Sequence, residues 1–189
     1  MNFFTADWHF NHANILKYCD RPFGNSHEMN ECIIRNHNSV VGFDDVVFML
    51  GDITFGSKKR GAECVRRLNG QKILIRGNHD KSLSDERLLG DFGFIEVHNR
   101  LQYFTNGLRI LMTHDPKTAL LWGRTEPQIG TILLCGHIHN TAKLVVENDP
   151  FQKALNVGID VNNFYPISFD EMLSQWRDPS IEDKISYQI

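Results

Sequence analysis

Short apolar runs of strand length recur along the chain, and between them lie stretches whose apolar positions repeat every three to four residues. The runs are Asn2-Phe3-Phe4-Thr5-Ala6, Val46-Val47-Phe48-Met49-Leu50, Lys72-Ile73-Leu74-Ile75, Arg109-Ile110-Leu111-Met112 and Thr131-Ile132-Leu133-Leu134-Cys135. Runs so continuous predict strands buried on both faces, as in parallel sheets. After the first run, Ser26 is placed to cap a helix that buries Met29, Ile33 and, at its margin, Cys32. Residues 58–68 put Ala62, Val65 and Leu68 on one stripe and stop at Asn69-Gly70. Both helices read as crossovers in an α/β fold. The second half is richer in antiparallel signals. Asn106-Gly107 between two apolar runs predicts a tight hairpin, and residues 143–147 with 154–157 suggest another antiparallel pair. Ser168 with Glu171 forms a capping box, Ile167 and Met172 can staple it, and the helix that follows should bury Leu173 and Trp176.

The residues that follow each run are the informative ones. Ala6 is followed by Asp7-Trp8-His9, Leu50 by Gly51-Asp52, Arg76 by Gly77-Asn78-His79-Asp80, Met112 by Thr113-His114, and Cys135 by Gly136-His137-Ile138-His139. In an open α/β sheet, ligands bind outside the carboxyl ends of the strands, so these groups should converge on one place. Glycine precedes the polar residue in three of the five, as expected where the backbone must turn sharply or approach a ligand closely. Aspartates, one asparagine amide and four or five histidines, with no thiolate, suit two divalent transition metals better than calcium or a structural zinc. Two ions need a shared ligand, and a carboxylate bridges naturally; Asp52 stands at the centre of the set.

Composition narrows the class without changing this picture. The chain has 189 residues, 41% hydrophobic and 23% charged, with a formal net charge of −3. That fits one soluble domain over residues 1–189 and excludes disorder. No apolar stretch approaches eighteen residues, and no basic segment precedes the apolar start, so neither a membrane span nor a signal peptide is expected and the cytoplasm is the expected location. Cys19, Cys32, Cys64 and Cys135 show no CxxC pairing and read as reduced thiols. Mild acidity argues against long nucleic acid as a partner and leaves room for a small anionic substrate.

Asp7-x-His9, Gly51-Asp52, Gly77-Asn78-His79-Asp80, His114 and Gly136-His137-x-His139, in that order, strongly resemble the calcineurin-like metallophosphoesterase superfamily. Asn156-Val157-Gly158-Ile159-Asp160 and Tyr165-Pro166-Ile167-Ser168 look like its C-terminal strand and closing helix. The resemblance implies a four-layer α/β/β/α sandwich of two mixed sheets. It also implies that Asp7, His9, Asp52 and His139 hold one ion while Asp52, Asn78, His114 and His137 hold the other. The ions would be divalent transition metals, manganese first, with iron, nickel, zinc or magnesium as alternatives. A metal-bound hydroxide would then attack phosphorus in line, with His79 protonating the leaving oxygen. The expected activity is hydrolysis of a small, nucleotide-like phosphodiester. A phosphomonoesterase, or a non-catalytic scaffold of the same fold, is the alternative.

Other residues carry weaker expectations. His9-Phe10-Asn11-His12-Ala13-Asn14-Ile15 with Arg21-Pro22-Phe23 resembles small bacterial and phage-type members, which makes His12 and Arg21 candidates for touching the substrate phosphate; otherwise His12 packs a helix and Arg21 is a solvated loop charge. Asp80 orients either His79 or a turn, and Asp160 either has a site role or anchors the last strand. Alternation makes Trp8 core and not a wall for a nucleobase. His27, His37 and His98 read as helix-surface or loop residues. Loops 10–25, 53–60 and 115–130 are the expected pocket walls. Gly51-Asp52-Ile53-Thr54-Phe55-Gly56 departs from the Gly-Asp-x-x-Asp-Arg-Gly of phosphoprotein phosphatases, lacking the aspartate that pairs with the general acid and the phosphate-binding arginine, which makes phosphoprotein a minor reading.

Overall fold

The computed structural model describes residues 1–126, 128, 130–147, 152–181 and 183–187. The first predicted runs become β1 (Asn2–Thr5), β2 (Val46–Met49) and β3 (Gln71–Ile75). They lie parallel in that order, joined by crossovers containing α1 (Ile15–Tyr18), α2 (Ser26–Val40) and α3 (Lys58–Arg66). After α4 (Asp85–Gly90), β4 (Glu96–His98) extends this sheet in parallel beside β3, and β10 (Ile167–Ser168) closes its other edge antiparallel to β1.

The second sheet has six strands in the order β11-β8-β9-β7-β6-β5: β5 (Leu101–Thr105), β6 (Leu108–Met112), β7 (Thr131–Cys135), β8 (Leu144–Glu147), β9 (Lys153–Asn156) and β11 (Lys184–Tyr187). β6, β7 and β9 are parallel, whereas the expected β5–β6 hairpin and β8–β9 pair are antiparallel. Asn106 (φ 49°) and Gly107 (φ 73°) make the hairpin turn, both in the left-handed region that a primed turn requires.

The two sheets pack face to face. Phe4, Ala6, Phe48, Leu50, Ile73 and Ile75 from the first meet Ile110, Met112, Ile132, Leu134, Leu144 and Leu155 from the second in one buried cluster. The alternate residues of the same strands face outward, under helices. Met49 and Leu74 pack with Met29 and Ile33 of α2 and Ala62 and Val65 of α3; Leu111 and Leu133 pack with Ala119, Leu120 and Trp122 of α5 (Pro116–Thr125). This is the expected four-layer α/β/β/α sandwich, and burial on both faces is why the strands read as unbroken apolar runs. α6 (Phe169–Arg177) opens on the predicted Ser168–Glu171 capping box and lays Met172, Leu173 and Trp176 on the inter-sheet core, with Met172 fully buried and the other two partly so.

Several local expectations need correcting. Asn25, not Ser26, caps α2, accepting from the Glu28 N–H at 2.9 Å. His37 is fully buried, hydrogen-bonded to the Asn69 carbonyl at 3.0 Å and edge-on to Trp8. His98 lies on β4, and the presumed loop 115–130 contains α5. No helix among the described residues is long and apolar enough to cross a membrane.

Candidate metal centre

Parallel β1, β2, β3, β6 and β7 end along one edge of the sandwich, which brings their following residues together as the strand-end argument requires. The backbone there is tightly constrained. A Cβ on Gly51 (φ 83°) would collide with the Gly77 backbone, and one on Gly136 would lie 2.6 Å from the Ala6 side chain and 2.7 Å from the Asp7 carboxylate. Five of the seven expected ligands sit in the left-handed region: Asp7 (φ 61°), His9 (51°), Asp52 (55°), His137 (75°) and His139 (49°). Non-glycine residues hold that conformation only where the surroundings impose it, and such residues concentrate at functional sites. The sharp turn after each strand is what swings these side chains inward.

Their polar atoms converge in two neighbouring groups. Asp7, His9 and His139 offer ligand atoms within 4.8 Å of one another, as do Asp52, His114 and His137. Asn78 Oδ1 lies 3.0 Å from His114 Nε2 and 3.0 Å from His137 Nδ1, and those two nitrogens are 3.2 Å apart. Asp52 Oδ2 lies between the groups, 3.5 Å from His9 Nε2 and 3.4 Å from His114 Nε2. All seven predicted ligands are therefore brought together, with Asp52 central.

The donor set fits a pair of divalent cations. His9 Nε2 is buried with no hydrogen-bond partner, an orphaned lone pair facing Asp52. His114 Nδ1 donates to the Leu50 carbonyl at 2.7 Å, which leaves Nε2 for the centre, and His139 Nδ1 bonds Asp160 at 2.9 Å, which frees its Nε2 in the same way. Asp7 and Asp52 are both buried, and their charges demand compensation. Burial lifts the Asp7 carboxyl to about 6. Burial would also raise Asp52, but the adjoining His114 ring overrides it and holds that carboxyl well below the usual range. Burial would lower His114 and His139; instead the Asp52 and Asp7 carboxylates lift His114 to about 9, and the Asp160 bond lifts His139 to about 10. His9, with burial dominant, is driven well below its ordinary value and stays neutral.

His79 is in neither set of expected ligands, although it too offers a ligand atom within 4.8 Å of those of His9 and Asp52. Its backbone N–H donates to Asp52 Oδ1 at 2.9 Å, while its partly exposed ring has Nε2 3.8 Å from Asp52 Oδ2. Asp80 takes the turn role. Its buried carboxylate accepts from the N–H groups of Asp52 and Gly77 at 2.8 Å each and of Ile53 at 3.1 Å, tying two ligand loops together.

Arg21 differs from both readings offered by the sequence. It is neither solvated nor open to a phosphate: Nε and one terminal nitrogen clasp Asp160 at 2.7 and 2.8 Å, and the terminal nitrogens also meet the carbonyls of Asp7 and Trp8 and the Met29 sulfur. These contacts occupy its donors, so the expected phosphate contact from Arg21 has no N–H left to make it. Asp160 thereby links Arg21 to His139, a relay spanning 139 residues that no local signal announces. Asn156 supports the same turn, donating to the carbonyls of His139 and Ala142 at 2.9 Å each.

His12 does face the site. Its Nδ1 is 3.4 Å from His9 Nδ1, and its ring stacks on Phe55 with centroids 4.1 Å apart and planes at 19°. Trp8 is fully buried, as alternation predicted. The aromatic wall is supplied instead by Phe55 and Tyr18, which lie in the stretches 53–60 and 10–25 expected to wall the pocket but were not singled out there; the departure at Phe55 from the phosphatase pattern was the available signal.

No family model matches the chain. The uncharacterized protein MJ1445 of Methanocaldococcus jannaschii is 36% identical over 173 residues, covering 89% of this chain and 86% of that protein. The chain belongs to the family of this archaeal protein. The gene 66 protein of Mycobacterium phage L5 is 26% identical over 181 residues, covering 83% of this chain and 85% of its own. Among solved structures, AQ665 of Aquifex aeolicus, a protein of unknown function, superposes with a TM-score of 0.69 at 24% identity over 92% of this chain and 98% of its own, and so shares the fold. An archaeal phosphodiesterase aligns with a TM-score of 0.49 at 19% identity, covering 83% of this chain and 82% of its own. The ordered motifs of the family member described here, and the sandwich that gathers them, resemble those of the calcineurin-like metallophosphoesterases.

Proposed function

We propose that this chain is a di-metal phosphoesterase that hydrolyses a small, nucleotide-like phosphodiester. The observation that carries the reading is the convergence of two ligand groups about Asp52, with the partly exposed His79 ring at their edge. Asp7, His9, Asp52 and His139 would hold one ion, and Asp52, Asn78, His114 and His137 the other. When bound, such a pair of ions neutralises phosphoryl charge and acidifies water. The chain itself fixes the ligands by the turns described, and keeps His79 on a partly exposed ring able to reach an ester oxygen.

His79 gives the departing oxygen its proton, a role whose value depends on how basic that oxygen is. Replacing His79 with Ala should cost an alkoxide leaving group roughly 10² to 10⁴ in rate and a nitrophenolate much less, with metal content maintained. Equal penalties would make His79 an electrostatic clamp; loss of metal would make it a ligand. Retention of His79 together with all seven ligand positions favours an enzyme over a scaffold of the same fold. Hydrolysis of a chromogenic diester by protein loaded with Mn²⁺, compared with the corresponding monoester, decides among diesterase, monoesterase and scaffold.

A further inference from the structure

The metal centre opens into two clefts that share His137 and differ in which side chains line them. One, of about 470 Å³, is lined by His12, Tyr18, Phe55, His79 and Asn140 among others; the second, of about 540 Å³, by Arg76, Lys81, Asn99 and Thr118 together with ligands Asn78 and His114. The first is aromatic. Phe55 remains 41% exposed and Tyr18 72% exposed, although both rings belong to a cluster around His12. Stacked on His12 by one face and set edge-on to His79 at 5.3 Å, the Phe55 ring is held in place with apolar surface still open to the cleft. It occupies the sequence position where the phosphoprotein-phosphatase pattern has an aspartate. The second cleft has no Phe, Tyr or Trp in its lining and carries charges of both signs, Asp115 among them. Arg76 is occupied by the Asp80 and Leu83 carbonyls and by Asp85, whereas Lys81 is exposed and has no ion pair among the described residues.

We propose that the two clefts receive the two arms of one diester: a nucleoside whose base stacks at Phe55 and Tyr18, and a polar or anionic arm beside Lys81. This rests on the phosphodiesterase reading above and adds the direction of cleavage. His79 lines the aromatic cleft and not the second, so the oxygen it can protonate is that of the nucleoside. Water adds its oxygen to phosphorus, and the bond from phosphorus to the nucleoside oxygen breaks. That oxygen takes the proton of His79, and the proton released by water returns to solvent or to His79. The products are a free nucleoside and a phosphomonoester of the other arm. A planar base on an aromatic side chain contributes the equivalent of about 10-fold or more in affinity, and every base has a face to offer, so the cleft selects for the presence of a base more than for its identity.

The test uses the Mn²⁺-loaded protein and two diesters: the methyl ester of adenosine 5′-phosphate, and methyl trifluoroethyl phosphate, which carries no ring. Adenosine and methyl phosphate are the expected products of the first. Phe55→Leu, which keeps apolar bulk and removes the ring, should lower kcat/KM for the adenosine ester relative to the alkyl ester about tenfold. Saturation-transfer NMR with adenosine alone and metal-free protein gives a readout independent of turnover: base protons should saturate in the wild type and fade in Phe55→Leu, with unchanged thermal unfolding certifying the variant's fold. Release of methanol and adenosine 5′-phosphate, an unchanged ratio, or undiminished adenosine saturation in the variant would overturn the cleft assignment while leaving the phosphoesterase intact. Failure to cleave either diester would overturn the phosphodiesterase reading itself.

Discussion

At the scale of single residues, burial decides what each titratable group does. Arg21 and Asp160 have side chains 0% and 2% exposed, so removing one partner leaves an uncompensated charge in a dry interior. Arg21→Met should therefore lower the unfolding free energy by about 3–5 kcal/mol, and pairing it with Asp160→Leu should recover part of that loss, measured by urea unfolding of metal-free protein. Solvated-loop behaviour of Arg21 would instead leave stability within a few tenths. His37 makes a pH prediction. Burial holds its ring down from the ordinary 6.5 to about 4, so in the folded state it stays neutral while the unfolded chain takes up a proton. Its contribution is complete above pH 6.5 and is lost as the pH falls towards 4, with a total on the order of 3 kcal/mol. His37→Gln keeps a donor for the Asn69 carbonyl and should show a flatter decline of unfolding free energy across that window than the wild type.

At the scale of elements, the local signals that held were those with a short-range physical cause. The Asn106-Gly107 turn needs two left-handed residues, and the Ser168–Glu171 box satisfies orphan amides at the start of α6. Ser168→Ala should cost about 1 kcal/mol in urea or thermal unfolding, and no more, because the α6 contacts through Met172 remain. α5 carried the same kind of signal, with Asp115 capping the Thr118 N–H and Pro116 at its first turn, but it lies in a stretch read as a pocket loop. β4 and β11 were illegible for another reason. Three or four residues at a sheet edge, half polar, carry no periodicity, and their strand state comes from pairing with β3 and β8.

At the scale of the molecule, the sandwich is complete only when the charge in its open edge is balanced. Two buried aspartates facing neutral and partly protonated histidines form a centre that a divalent pair should stabilise without binding the unfolded chain. Mn²⁺ at a hundred times its dissociation constant should add about 2.7 kcal/mol per site to the unfolding free energy, seen as a rise in Tm that chelator reverses. In Asp52→Asn the rise should shrink more than in His9→Ala, since one change weakens both sites and the other only one; equal shrinkage would mean that Asp52 is not shared. The sequence by itself determined the five buried strand runs, the crossover helices of the first half, and which polar residues follow those strands: Asp7, His9, Asp52, Asn78, His79, His114, His137 and His139. Each of these depends on a hydrophobic period or on a motif that follows a strand, and both are local. Only the tertiary structure decided that Arg21 turns inward to Asp160 and His139, that Asp80 binds two loops together, and that Phe55 and Tyr18 wall the cleft while Trp8 does not. Those outcomes depend on which turns meet at the sandwich edge and on which charges find partners far away along the chain, and the local pattern of residues carries no record of that.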